Sequence, residues 1–492
     1  MDRIGFDNAK YIKMQSQNIR KRVAKFNRLY LEFGGKLFDD NHASRVLPGF
    51  EPDSKIKMLL KLKDKVEIVL VINAGDIEKH KIRSDLGITY SQDLLRLIDA
   101  FNNVELKIGG VVITHFAKQA EAIKLRKNLE KSNIKVAYHY AIDNYPNNVD
   151  YILSDNGFGK NEYLETSSEI IVVTAPGPGS GKMATCLSQI YHDDKHGLKA
   201  GYAKFETFPI WNLPLNHPVN LAYEAATVDL NDVNMIDPFH LEAYNKIAIN
   251  YNRDVEVFPV LNNLLTNIMG KQIYKSPTDM GVNMAGYCLS DDDACKEAAN
   301  NEIIRRYYQT MVDVRKDSLP EESLQKLDII MNKAGISLDD RKVAVAANRL
   351  SEKTKEPAVA IEYNGEIITG KTSLLMGASS AALLYAMKIA GNIPDIHLLS
   401  AKVLSPIQEL KTKYLNGNNP RLHPDEVLVA LAVDSTTNEY CAQALKSLSL
   451  LKGCEAHSSV ILSETDINVY KKLGIRLTME PAYRTKKLYH SK

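Results

Sequence analysis

Cysteine is scarce and unpatterned in this sequence. The five cysteines, Cys186, Cys288, Cys295, Cys441 and Cys454, form no CxxC pair and sit at no zinc-ligand spacing. A disulfide scaffold and a cysteine zinc centre are therefore not expected, and an odd number of scattered thiols fits a reducing compartment. Excess charge of one sign is also missing. Lys and Arg number 62 against 60 Asp and Glu, so bulk electrostatics give no reason to expect a nucleic-acid partner. No apolar run is long enough to cross a bilayer. The longest, 374–387, is short and rich in Gly, Ser and Ala, which suits a tightly packed core helix. The first residues, MDRIGFDNAKYIK, hold no apolar signal core. A cytoplasmic protein without a membrane partner is expected.

What is present is an ordinary globular mixture in a long chain. At 492 residues it exceeds the roughly 250–300 residues at which a single core stops growing, so several domains are expected. One local charge run stands out: Lys10, Lys13, Arg20, Lys21, Arg22, Lys25 and Arg28 occur with no acid among them. Ile12, Ile19, Val23 and Phe26 interleave at helical spacing. An anion- or RNA-binding helix and a plain solvated helix face both fit, and a charge run alone favours the second.

From residue 66 the pattern alternates between strands and helices. Strands are expected at 66–73, 111–114, 136–141, 149–154, 169–173 and 200–205, with helices at 90–101, 118–132 and 183–191. This alternation predicts an α/β fold with a parallel sheet covered on both faces. Helical patterns dominate 294–334 and recur at 339–351. The charged, Pro-terminated stretch 352–357 reads as a linker. A second α/β alternation follows: strand 358–363, helix 378–390, strand 426–433, helix 438–450 and a strand near Val460. The expected domains are 1–255, 256–352 and 353–492: a parallel-sheet unit resembling phosphate-loop proteins, a mainly helical middle part and a smaller α/β C-terminal domain.

Two loops compete for a phosphate-binding role. Residues 365–372, GEIITGKT, match G-x-x-x-x-G-K-[ST] letter for letter. The residues between the glycines are apolar and β-branched, however, and Asn364-Gly365 between two strand patterns is a hairpin signal. The other loop misses the consensus but has the right surroundings. A buried-strand pattern at 169–174 runs into Ala-Pro-Gly-Pro-Gly-Ser-Gly-Lys at 175–182, and a helix pattern follows. Such a loop turns backbone amides onto an anion, its glycines allow close approach, and the helix N-terminus adds partial positive charge. Gly177, Gly179, Ser180, Gly181 and Lys182 are the expected ligand-binding residues, with Lys182 neutralising phosphate. Pro176 stands where the consensus has its first Gly, and Met183 where Ser or Thr normally binds Mg²⁺.

Downstream, 216–244 is dense in titratable groups. His217, Glu224, Asp229 and His240 are the candidate catalytic residues, acting as bases or acids. Asp229 and Asp232 are the candidate ligands of a divalent cation. Asp237-Pro238 equally reads as a plain helix start, with Asp capping and Pro at the first position. A further loop, 276–286, carries hydroxyls, Asp279 and Asn283. The acidic run 290–293 reads as helix capping, and Arg305 and Arg306 could clasp a phosphate or simply decorate a helix.

Four stretches together carry a resemblance: 32–40 (EFGGKLFDD) with 45–49 (RVLPG), the loop 175–182, the segment 217–244, and 276–283 (SPTDMGVN). Over essentially the whole chain the sequence resembles the bacterial family known as domain of unknown function 1846. The resemblance implies a nucleotide-binding-like N-terminal unit, a helical middle part, and a C-terminal domain of three-layer, deaminase-like topology. It implies no activity. Some relatives bear the label of ATP-dependent peptidase, but the sequence has no HExxH and no GxSxG, and it lacks the zinc signature of a deaminase.

The sequence thus predicts an enzyme that binds a small phosphorylated ligand, ATP or another nucleotide in the first place, for phosphoryl transfer or phosphate-activated ligation. A non-catalytic nucleotide sensor is the alternative. Mg²⁺ is an open companion, zinc and haem are not expected, and a homo-oligomer stays open.

Overall fold

The computed structural model describes residues 3–38, 40–83 and 86–484. Asp39, within the 32–40 stretch, and the extreme ends of the first and last expected domains lie outside the described residues. The chain divides into two compact units, one of residues 2–224 and 231–299, the other of 225–230 and 300–492.

The first unit is built on seven parallel strands: β1 (Arg28–Phe33), β2 (Val66–Asn73), β3 (Lys107–Thr114), β4 (Val136–Tyr138), β5 (Ile170–Thr174), β6 (Ala200–Phe205) and β7 (Gly281–Val282). Their order is β7-β6-β1-β5-β2-β3-β4. Strands β1, β5 and β6 are buried along their whole length, which is why they read as unbroken runs with no alternation. The chain leaves β1 towards β2 on one side and leaves β5 towards β6 on the other. This reversal makes the C-terminal ends of β1 and β5 a topological switch point, the place where open α/β sheets take ligands. Two helices, Lys182–Lys195 and Asn252–Met269, close one face of the sheet. Cys186, Ile190, Phe258, Leu261 and Leu264 pack there on Tyr30, Ile171, Val173 and Tyr202.

The far end of helix Lys182–Lys195 is tied to the sheet by charge. Buried Asp193 accepts from Arg28 Nη1 at 2.6 Å, Tyr30 Oη at 2.9 Å and Tyr163 Oη at 2.6 Å. The basic N-terminal segment is the helix Asn8–Val23, with Ile12, Ile19 and Val23 buried as their spacing indicated. Its Arg22 donates to the carbonyls of Asp279, Met280 and Gly281, so that cation serves the fold.

In the second unit β8 (Ala358–Tyr363), β9 (Glu366–Lys371), β10 (Glu455–Ser458) and β11 (Arg476–Met479) pair in the order β9-β8-β10-β11. β8 runs antiparallel to both neighbours, and β10 and β11 are parallel. Val359, Ile361 and Ile368 face helix Ala378–Ala390, whereas Ala360 and Ile367 face Val343 and Ala347 of helix Lys342–Thr354. Alternate residues thus meet opposite helices, giving a three-layer α/β arrangement. Of the 374–387 run, 378–387 lies in the packed helix Ala378–Ala390, while Leu374 and Leu375 precede it exposed, and no described helix is long and apolar enough to cross a membrane. Arg305 is committed within this unit to Glu302 and Glu455 at 2.9 and 2.6 Å.

Two expected strands are helices instead. Residues 149–154 contain the single turn Val149–Ile152, capped by Asn148 through Tyr151 N–H. Residues 426–433 lie in helix Pro424–Asp434. Its start is signalled by Pro424 at the first position and by Asp425 and Glu426 beside the positive end of the helix dipole. The burial of Val427, Ala430 and Leu431 has helical spacing, while Val429 and Val433 are exposed.

Candidate functional site

The two lysine loops separate on geometry. Asn364 and Gly365 have φ of 51° and 81° and form the two-residue turn between antiparallel β8 and β9. The letter-perfect motif is therefore a hairpin and strand, with no helix after its lysine. A Cβ on Gly370 would lie 2.2 Å from the backbone nitrogen of Ala382, so that glycine exists for helix–strand packing.

The other loop leaves β5, in the middle of the parallel sheet, and enters helix Lys182–Lys195 with Gly181 as its cap at φ 88°. Loop and neighbours fit closely. A Cβ on Gly177 would sit 2.6 Å from Tyr90 Oη, and one on Gly181 would sit 3.1 Å from the Thr114 methyl. Thr114, at the end of β3, donates its hydroxyl to the Ser180 carbonyl at 2.6 Å. The amides of Gly177, Gly179, Ser180, Gly181 and Lys182 donate to no described protein group. The buried hydroxyls of Ser180 and Thr185 likewise have no hydrogen-bond partner. Half-buried Lys182 forms no ion pair among the described residues.

Next to this loop lies a cluster that the sequence reading did not single out. Lys204 Nζ, on β6, contacts both oxygens of Asp254 at 2.6 Å and Glu206 Oε1 at 2.8 Å, and it donates to Tyr251 Oη. Tyr251 in turn donates to Glu206 Oε1 at 3.0 Å. One strand over, Glu32 accepts from Tyr202 Oη at 2.7 Å. The register pairs Tyr30 with Tyr202 and Glu32 with Lys204, so these side chains share the face that helix Lys182–Lys195 covers. A small cavity of about 10 Å³ lies beside the cluster, its wall including Met183, the residue after Lys182, together with Tyr202, Lys204, Glu206, Asp254 and Pro277.

Burial decides the electrostatics here. It would lower the Lys204 pKa, but Asp254, Glu206 and Glu32 outweigh it and hold the ammonium well above its ordinary range. Glu206 is pushed up to about 7 by burial and by Asp254, against the pull of Lys204. Two carboxylates sharing one ammonium in a dry site retain a proton more readily than either would alone. Burial, then Glu32, drives the Cys186 thiol well above its ordinary range, so it is inert packing. A signal for the cluster existed: Lys204 and Glu206, two apart at the end of a buried strand, place charge where charge is costly.

The residues singled out from 217–242 are dispersed. His217 accepts from Val219 N–H at Nδ1, leaving its Nε2 on Asp292 Oδ1 at 2.9 Å; burial lowers its pKa against that carboxylate. It lines an open cleft of about 530 Å³ with Asn216, Asp292 and Lys296. Glu224 accepts from Asn234 N–H at 3.3 Å. His240 meets Ser276 Oγ at 3.0 Å, beside Asp237, which caps its helix and also accepts from Thr278. Asp229 is exposed on a short turn of the second unit, whereas Asp232 belongs to the first and is held by Arg253 Nε at 2.6 Å. No described group of three or more His, Cys, Asp or Glu could hold a metal ion. The segment reaches the lysine cluster through Tyr223, whose ring stands 6.4 Å from that of Tyr251 and whose hydroxyl is pushed up by burial and by Glu206. The 276–283 stretch contributes Pro277, Met280 and Gly281 to the cavity wall.

Family models divide the chain between residues 335 and 339, inside the second compact unit. The model "Domain of unknown function DUF1846, N-terminal" matches residues 4–335, and its C-terminal counterpart matches 339–489. A UPF0371 protein of Streptococcus uberis is 54% identical over 492 residues, covering 99% of this chain and all of the relative. UPF0371 proteins of Streptococcus pyogenes serotype M5 and Streptococcus thermophilus are also 54% identical, with the same coverage. The chain belongs to the DUF1846 family.

Proposed function

We propose that this chain is an enzyme that binds a small phosphorylated molecule, a nucleotide in the first place, at the switch point beyond β1 and β5. The observation that carries the reading is the loop from Gly177 to Lys182. It offers five amides and one lysine without a partner among the described residues, and a helix N-terminus at the switch point of a parallel sheet. Together these make an anion site by the partial charge of the helix, the backbone donors and the ammonium. Phosphoryl transfer or phosphate-activated ligation is the reaction class, because the cluster of Lys204, Glu206 and Asp254 supplies acid–base groups beside it. Met183, in place of a metal-binding hydroxyl, favours a second reading: a sensor that binds the same ligand without turning it over.

Calorimetric titration of inorganic phosphate, ATP and GTP tests the site. Lys182→Ala removes a charged hydrogen bond of about 1.5–3 kcal/mol and is expected to weaken binding roughly ten- to a hundredfold. Lys371→Ala, on the hairpin strand, is expected to leave affinity unchanged. Absence of binding by the parent, or a loss confined to Lys371→Ala, would overturn the reading. Release of phosphate or diphosphate from a bound nucleotide separates enzyme from sensor.

A further inference from the structure

Resting on that reading of the loop, we propose that Glu206 is its proton-exchanging partner: it takes up a proton as a phosphorylated ligand seats at Lys182 and serves as the general acid of the reaction. Three observations carry this. Glu206 is almost buried, with 13% of its side chain exposed, yet it shares its ammonium with a second carboxylate, Asp254. The cavity between Glu206 and Met183, the residue after Lys182, has room for about one water, enough to bridge a carboxyl and a ligand oxygen. One further carboxylate, Glu32, lies across the sheet from Lys204 in register, whereas Asp232 is paired with Arg253 and adds no net charge.

Every titratable group around Glu206 has a defined part. Lys204, on its own strand, is the one cation in contact with it among the described residues, and Arg253, over the Tyr251 ring, is paired with Asp232. Asp254 and Tyr251, at the start of helix Asn252–Met269, hold that cation, and Tyr251 donates to Glu206 itself. Tyr223 and Tyr202, with hydroxyls driven up by burial, stay neutral. With Glu32, Glu206 and Asp254 ionised, three negative charges face one positive. An arriving phosphate adds to that excess in a medium that screens poorly, and Glu206, already held near neutrality by burial and Asp254, accepts the proton. The chemical step follows. The carboxyl O–H bond breaks as the proton passes, directly or through one water, to the leaving oxygen while its bond to phosphorus breaks; phosphorus bonds in its place to the oxygen of a water or substrate hydroxyl, whose proton goes to solvent. The carboxylate left behind is returned to Lys204.

The test is phosphate and ATP binding measured calorimetrically near pH 7 in buffers of different ionisation enthalpy. A carboxyl only partly protonated in the free protein and fully protonated in the complex takes up a fraction of a proton per ligand bound. Glu206→Gln is expected to bind phosphate with that uptake removed relative to the parent, the difference excluding the ligand's own proton exchange, whereas Lys182→Ala is expected to bind roughly ten- to a hundredfold more weakly. Ligand bound by the parent without proton uptake, or uptake intact in Glu206→Gln, overturns the assignment of Glu206 while leaving the loop site standing. Failure of the parent to bind either ligand overturns both. Should Glu206→Gln not fold, carbon-13 NMR of labelled glutamate in the parent provides a second arm. One carboxyl is expected to titrate near 7 and to move upward when phosphate is added; none titrating above the ordinary carboxylate range overturns the proposal.

Discussion

Replacing Asp193 with Ala should be among the costliest single changes in the first unit. Its carboxylate accepts from Arg28, Tyr30 and Tyr163, and the side chain is fully buried. Without it, Arg28, 9% exposed at its side chain, keeps only the Thr166 carbonyl at 2.7 Å and a longer contact to Tyr163 at 3.2 Å. A buried charge stripped of its partner costs about 3–5 kcal/mol. For a unit of this size each kcal/mol lowers Tm by about 2–4 °C, so a fall of roughly 6–20 °C is expected in calorimetry. The double variant Arg28→Met, Asp193→Leu removes both charges and should recover most of the loss. Asp193 lies eleven residues beyond Lys182, about 16 Å along the helix, so phosphate affinity of the folded variant should stay within about twofold. A loss below about 1 kcal/mol, or a double variant no better than the single, would refute the premise that this pair clamps the loop-bearing helix to β1.

Gly370→Ala should destabilise the second unit by about 1–3 kcal/mol in urea denaturation, because its Cβ would press on the Ala382 backbone; an unaffected midpoint would contradict the packing. The pair His423–Asp466, at 2.7 Å, raises the histidine pKa chiefly through that hydrogen bond, with burial opposing. Its stabilisation should be complete below about 6.5, the unfolded value, and fade as pH rises through the higher folded value. Urea midpoints of His423→Gln and the parent should therefore converge at alkaline pH and separate at acid pH; a constant gap would exclude the linkage.

Much of the sheet was legible because buried parallel strands carry an unmistakable composition. Strands β2, β5 and β6 lie within a residue of their expected bounds, and the hairpin at Asn364-Gly365 was readable from its turn residues. Helix Pro424–Asp434 reads as a strand in the sequence because its apolar run hides the start signal in Pro424, Asp425 and Glu426. For the site, pattern and context gave opposite answers for the two loops, and context identified the strand–loop–helix at 175–182. The lysine cluster was obscured for another reason. Glu32, Lys204, Glu206 and Asp254 come from three separate stretches, and only sheet register and a crossing helix bring them together. In 217–242 some of the titratable groups also serve as caps and loop ties, Asp237 accepting from His240 N–H and Glu224 from Asn234 N–H.

The dependence of binding on magnesium follows from the same contacts. A phosphate loop normally recruits the metal through the hydroxyl after its lysine, and here that residue is Met183. Thr185 is two residues further along the helix, its hydroxyl fully buried. The nearest carboxylates on the cavity, Glu206 and Asp254, are already engaged by Lys204, and Asp232 is engaged by Arg253. A cation arriving with the ligand would have to pull a carboxylate off a buried ammonium, leaving that charge unpaired at a cost of several kcal/mol. Mg²⁺ is therefore expected to change the affinity for inorganic phosphate by less than about threefold, under about 0.7 kcal/mol. ATP alone and ATP with Mg²⁺ should bind comparably. Titrations in EDTA and in excess Mg²⁺ measure this directly. A gain of tenfold or more with Mg²⁺ that disappears in Asp254→Asn would mean that the carboxylate leaves Lys204 for the metal, and the ion cluster would then be a metal site in its bound state.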